Sequence, residues 1–227
     1  GGAALQPDLV DKLEKGTVNA RASTGYGMTE TCGIIAAVAA EFFVDKPASV
    51  GRVMPSFEVR CVDSDGNSLG VGQRGELWLR GAPVIKGYLN QPEAIVDGWL
   101  KTGDIGYIDE EGFVFLVDRL KEMVLRGGEN VYCAEVENAI FSLPVVTECV
   151  VFAVPDERLG EEVGAAIYLK EEGSVEAAVI RDHCRAALAA YKVPRYIWFV
   201  REPLPRNANG KFVKRKVQES LDLAAAR

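Results

Sequence analysis

The 227-residue sequence is poor in several things that usually announce a chemistry. It has one histidine, His183, in a stretch that reads as helix. A single histidine argues against a histidine-based triad or a multi-histidine metal centre. The five cysteines, at 32, 61, 133, 149 and 184, contain no C-x-x-C pair. That spacing argues against a zinc site or a disulfide framework. They read as mostly buried thiols in a reducing cytoplasm. There is no basic excess: the net charge is −7. An acidic total argues against nucleic acid or an anionic membrane as partner, despite the local run "KFVKRK" at 211–216. No apolar run approaches the ~18 residues that a membrane span needs. No leader pattern opens the chain, and its start at Gly1 reads as a cut. Repeats and low-complexity tracts are missing too. What is present is apolar mass, 48% of residues, enough for a sizeable core in one large or two small domains.

Hydrophobic period divides the chain. Residues 5–15 read as a short amphipathic helix through Leu9 and Leu13. The apolar stretch 33–44, "GIIAAVAAEFFV", could be helix or strand. From about 50 to 118 the pattern is β. "FEVRCVD" (57–63) and "ELWLR" (76–80) alternate, and "EEG" between "GYID" and "FVFLVD" signals a hairpin. Beyond Asp118 the character becomes α+β. "AEVENAIFSL" (134–143) puts Val136, Ile140 and Leu143 on one helical face. Two strands flank "PDERLG", Ser174 reads as the N-cap of a helix from Val175 to about Ala190, and "RYIWFV" reads as a strand. The boundary falls in "DRLK" (118–121).

Three segments could carry chemistry, and each has a plainer alternative. "TGYGMTE" (24–30) could be an ordinary turn. It also places Gly25 and Gly27 for close backbone approach, Tyr26 as a flat face for a base, Thr29 as a hydroxyl for phosphate, and Glu30 as a hard oxygen ligand for Mg²⁺. "LKTGDIG" (100–106) could be an aspartate turn, or Asp104 could grip a ribose diol. "PRNANGKFVKRK" (205–216) could be a solvated tail, or it could hold Lys211 as a point charge for anions that must meet.

Taken in order, these segments resemble the adenylate-forming acyl-CoA synthetase family, which includes luciferases and the adenylation domains of peptide synthetases. The likeness rests on "GGAAL" (1–5), "GYGMTET" (25–31), "SVGRVMP" (49–55), "GELWLRGAPVIKGYLNQPEA" (75–94), "DGWLKTGDIGYIDEEG" (97–112), "DRLKEMVLRGGENVYCAEVE" (118–137) and "LPRNANGKFVKR" (204–215).

The resemblance implies an α+β chain. Residues 1–118 would be the C-terminal part of the large AMP-binding domain, ending in a twisted, barrel-like β-subdomain. Residues 119–122 would form a hinge, and 123–227 a small mobile domain. It implies an acid–thiol ligase with Mg²⁺ as cofactor and with ATP, CoA and a fatty, medium-chain or aryl carboxylic acid as substrates. Tyr26 would stack on adenine near the backbone of Gly2 and Ala3, with Gly27 and Met28 also lining the nucleotide. Thr29 would contact phosphate and Glu30 would hold Mg²⁺. Asp104 and Arg119 would grip the ribose, and Lys211 would bridge the carboxylate and the α-phosphate. Lys121 matches the hinge, and Gly127 with Gly128 the loop lining the CoA tunnel.

The sequence departs from the family pattern twice. The Ser/Thr/Gly-rich phosphate loop, which lies upstream of "GGAAL" in the family, is missing, and so is most of the acyl pocket. The run from "NQPEA" to "DGW" is also short. The chain therefore reads as the C-terminal portion of such an enzyme, inactive by itself. A non-catalytic nucleotide-binding or assembly module, and an adenylating enzyme with another acceptor, stay open as alternatives.

Overall fold

The computed structural model describes residues 23–39, 42, 45–89, 94–208, 210–222 and 226. The chain divides into two compact units, Gly1–Leu120 and Lys121–Arg227. The expected helix at 5–15 and the positions Gly2 and Ala3 lie outside the described residues.

The first unit is built on antiparallel strands: β1 (Ser23–Met28), β2 (Gly33–Ala39), β3 (Ser49–Val53), β4 (Phe57–Val62), β5 (Gly75–Gly81), β6 (Ile95–Val96), β7 (Trp99–Ile108) and β8 (Phe113–Arg119). Their order in the sheet is β1-β2-β3-β8-β7-β5-β4, with β6 paired to β7. The ambiguous run after residue 33 is strand over Gly33–Ala39. Paired on both sides, by β1 and β3, β2 buries Ile35, Ala36 and Val38. Alternation works as expected in β5, where Leu77 and Leu79 enter the core with Phe57, Cys61, Leu100 and Val114. Each fully buried leucine stabilises the unit by about 2 kcal/mol.

The β7–β8 turn is set by Asp109, whose Oδ1 accepts hydrogen bonds from the amides of Glu111 and Phe113 at 3.0 and 2.9 Å. A bulge between Ile105 and Gly106 then fixes the register so that Asp104 faces Arg119 across the ladder.

The second unit contains β9 (Val124–Arg126), β10 (Glu129–Val131), helix α1 (Cys133–Phe141), β11 (Val146–Asp156), β12 (Gly160–Leu169), helix α2 (Ala177–Ala187), β13 (Tyr196–Val200) and helix α3 (Lys214–Glu219). Strand β12 is the hub. It pairs antiparallel with β11 and, at Gly160, with β9, and it pairs parallel with β13. One core gathers Val136 and Ile140 of α1 with Ile180 and Cys184 of α2 against Cys149, Val151, Ala165 and Ile167. Another packs Phe152, Ala166 and Trp198 against Leu204 and Val217 of α3. This layering is α+β.

Ser174 does not cap α2. The helix begins at Ala177 after an extended Glu176, and no side chain caps it. The Ser174 amide instead closes a turn onto the Glu171 carbonyl at 3.2 Å. Burial decides the start: Ala177, Ile180 and Cys184 form the buried stripe, and Val175 packs on the same core from the extended segment.

Four of the five cysteines are buried and Cys32 is exposed. Burial pushes the Cys61 and Cys184 thiols up to about 11. Among the described residues, no helix is long and apolar enough to cross a membrane.

Candidate active site

Strand β1 leads into a single 3-10 turn, Thr29–Thr31. The buried Thr31 builds it. Its hydroxyl lies 2.9 Å from the Met28 carbonyl and accepts a hydrogen bond from the Met28 amide at 3.3 Å. Cys32 follows in the left-handed region, at φ 56°, and reverses the chain into β2. Thr29 is thereby exposed at the head of the turn, and Glu30 is half-buried beside it. Met28 packs its side chain partly on the core.

The two glycines of the stretch are explained by strand packing. A Cβ on Gly27 would sit 2.1 Å from the Gly33 carbonyl oxygen, and one on Gly25 would sit 3.1 Å from that of Ala36. Both glycines let β2 approach β1. Backbone approach to a ligand is not needed to account for them.

Tyr26 is 8% exposed. Its hydroxyl donates to Asp104 Oδ2 at 2.6 Å. Asp104 is 5% exposed, and Arg119 Nε lies 2.8 Å from its other oxygen, Oδ1. Burial first, and the Asp104 charge second, push the Tyr26 phenol well above its ordinary range, so it stays a donor. The part of β7 before Asp104 is held at three points. Thr102 Oγ1 donates to the Leu77 carbonyl at 2.7 Å and accepts from the Asp104 amide at 3.0 Å. The Gly103 amide donates to Glu76 Oε1 at 3.0 Å.

Glu30 is also anchored. Tyr88 donates its hydroxyl to Glu30 Oε1 at 2.6 Å, and the Ile85 amide donates to the Glu30 carbonyl at 2.8 Å. The Tyr88 hydrogen bond holds the Glu30 carboxyl below the usual carboxylate range, and the Arg119 charge adds to this. An ionised hard oxygen donor suits Mg²⁺, which takes one or two carboxylates plus phosphate oxygens. Among the described residues, no cluster of three or more acidic, histidine or cysteine side chains forms a closed metal cage.

The first unit therefore brings Tyr26, Asp104 and Arg119 together, with Glu30 close enough to feel the Arg119 charge. Sequence reasoning left two members of this arrangement without a role. Tyr88 and Glu76 both stand in the quoted run 75–94. Tyr88 meets a partner 58 positions away and Glu76 one 27 away, a pairing that only the fold reveals.

In the second unit Lys211 sits on a tight loop. The Asn207 side chain accepts from the Lys211 amide at 3.0 Å, and Gly210 closes the turn onto the Asn207 carbonyl at 2.9 Å. Arg206 spans the loop by donating to the Gly210 carbonyl at 2.8 Å, and its guanidinium lies 3.9 Å from the centre of the Phe212 ring. The Lys211 side chain is 44% exposed, with its ammonium 3.8 Å from Glu122.

Lys121 lies exposed in the 3-10 turn Leu120–Glu122, where the two units join. Gly127 and Gly128 form the tip between β9 and β10, both in the left-handed region at φ 58° and 90°. The tip is pinned by Arg126, which donates from Nε and Nη2 to Glu162 at 2.7 and 2.8 Å.

Two family profiles match the chain: AMP-binding enzyme over residues 1–89, and AMP-binding enzyme C-terminal domain over 135–211. A 2-succinylbenzoate–CoA ligase of Geobacillus kaustophilus is 42% identical over 97% of this chain and 45% of its own length. The long-chain-fatty-acid–CoA ligase FadD13 of Mycobacterium tuberculosis is 38% identical over 96% and 43%. The solved o-succinylbenzoate CoA synthetase MenE of Bacillus subtilis, in complex with its acyl-adenylate intermediate, superposes with a TM-score of 0.86 at 34% identity, over 97% of this chain and 45% of that one. The chain thus spans about half the length of the curated relatives it matches. With both profiles matched in order along the sequence, the chain belongs to the adenylate-forming AMP-binding enzymes, the superfamily of the acyl-CoA ligases.

Proposed function

We propose that the protein carrying this chain is an ATP-dependent, AMP-forming acyl-CoA ligase acting on an aryl or fatty carboxylic acid. The observation that supports it best is the Tyr26–Asp104–Arg119 network beside Glu30. This constellation suits a nucleoside phosphate: an aromatic for the base, a fixed carboxylate for the ribose, and an ionised oxygen donor for a metal. The first unit is the end of the large domain, residues 119–122 are the hinge, and the second unit is the small mobile domain.

The acid's carboxylate oxygen attacks the α-phosphorus of ATP. The new O–P bond replaces the bond to the β-phosphate, and pyrophosphate leaves. The sulfur of CoA then attacks the acyl carbon. A C–S bond forms, the acyl C–O bond breaks, AMP departs, and the thiol proton passes to solvent.

The first step brings two anions together, so its barrier is mainly electrostatic. Lys211 offsets that repulsion with a compact ammonium held by its loop. Thr29 donates its hydroxyl to a phosphate oxygen. Glu30 would hold Mg²⁺, which supplies charge neutralisation at the triphosphate when bound. Asp104 accepts from the ribose hydroxyls, with Arg119 beside it, and Tyr26, Gly27 and Met28 face the nucleotide. In the second step Gly127 and Gly128 leave room for the pantetheine arm. Cysteines kept as thiols fit a reducing cytoplasm.

The test is ATP–pyrophosphate exchange by the whole polypeptide that carries this chain, with 2-succinylbenzoate and a series of fatty and aryl acids, followed by CoA-dependent release of AMP. Exchange with one acid class and a CoA requirement for turnover are expected. Absence of exchange with every acid would sink the ligase reading.

A further inference from the structure

The Tyr26 hydroxyl and the Asp104 carboxylate meet at 2.6 Å, inside the strand sheet, with both residues less than a tenth exposed. Stacking on a base needs only the ring of Tyr26. The hydroxyl is a separate device.

A buried carboxylate can rotate about its terminal bond, and its direction decides which lone pairs face a ligand. Here rotation is blocked from both ends. Tyr26 holds Oδ2 and Arg119 holds Oδ1. The backbone of Asp104 is fixed in turn by Thr102, whose own hydroxyl is spent on Leu77. Each carboxylate oxygen accepts more than one hydrogen bond. The two clamped oxygens are therefore held in a set direction. Arg119 is about half exposed, so its hold is softened by solvent. The phenol is buried and stays protonated, which makes it the firmer of the two.

We infer that Tyr26 is a positioning residue for the ribose. Its hydroxyl orients Asp104 so that the carboxylate can accept from the sugar hydroxyls, and it thereby sets the preference for ribonucleotides over deoxynucleotides. The inference rests on the ribose role proposed for Asp104. Tyr26→Phe keeps the ring and removes only this device.

The experiment measures binding of AMP and of dideoxyAMP, which lacks both ribose hydroxyls, to the whole polypeptide and to its Tyr26→Phe, Asp104→Asn and doubly substituted variants. The ratio of the two affinities within one variant is unaffected by any loss of folded protein. The unsubstituted protein is expected to favour AMP. Tyr26→Phe should weaken AMP binding about tenfold, the scale of one hydrogen bond to a charged group, and leave dideoxyAMP unchanged. In the Asp104→Asn background the Tyr26 substitution should add nothing. Equal weakening of both ligands would overturn the inference, because the ring or the packing would then be what matters. An unchanged AMP affinity would overturn it too. If the unsubstituted protein treats the two ligands alike, or binds neither, the ribose role of Asp104 fails, and the inference falls with it.

Discussion

Glu30 owes its setting to a distant segment. Tyr88 and Ile85 approach it from beyond β5, one through a side chain and one through the backbone. The Tyr88 hydrogen bond is the leading cause that keeps Glu30 ionised to lower pH than an ordinary glutamate. In Tyr88→Phe that cause is gone, and the Glu30 carboxyl rises toward the usual range near ~4.3. Protonated Glu30 cannot serve a metal–phosphate site. The acid limb of pyrophosphate exchange should therefore move to higher pH in Tyr88→Phe. A pH profile of kcat/KM checks this; an unmoved limb would show that Glu30 does not control it. The types of residue in this site were readable from sequence, because hydroxyl, carboxylate and aromatic side chains stood in short ordered runs. Their partners were not. A hydrogen bond between positions 26 and 104, or 30 and 88, depends on strand order, which no local pattern encodes.

At the level of elements, the hairpin of β9 and β10 shows how a glycine tip is held in place. Arg126, next to Gly127, is fastened to Glu162 on β12, and Arg195 approaches Glu162 at 3.6 Å. Burial pushes the Glu162 carboxyl up, but the Arg126 hydrogen bonds and charge outweigh it and hold the group below its usual range. A lowered folded value means that the contribution to stability is complete above about pH 4.3 and fades as the pH falls through that lowered value. Glu162→Gln leaves Arg126 without its charged partner and should cost about 3 kcal/mol at neutral pH. Urea unfolding at neutral and acid pH checks this. The gap between the two proteins should narrow in acid; a gap that does not change with pH would mean that packing rather than charge sets it. Strands and helices with a clean period, such as β5 and α1, were legible in advance. The start of α2 was not, because burial of Ala177 and Ile180 outweighed the capping preference of Ser174.

For the molecule as a whole, two units with separate cores suit the proposed scheme, in which different groups are presented in successive steps. Lys211 belongs to the second unit and serves only the first step in the proposed scheme. Lys211→Ala in the whole polypeptide should lower adenylation by about two to three orders of magnitude, the scale of losing one preorganised charge. Thioester formation from supplied acyl-AMP should be largely spared. Measuring the half-reactions separately tests this, and equal loss of both would argue against a division of labour between faces of the small unit. The arrangement of thiols has a practical side. Four of the five are sealed inside cores, while Cys32 stands exposed on the reversal that ends the Thr29–Thr31 turn. An alkylating dye offered to this chain has a single address, and that address adjoins the residues that would touch phosphate. The chain thus carries an attachment point for an optical reporter beside the turn proposed to meet the nucleotide.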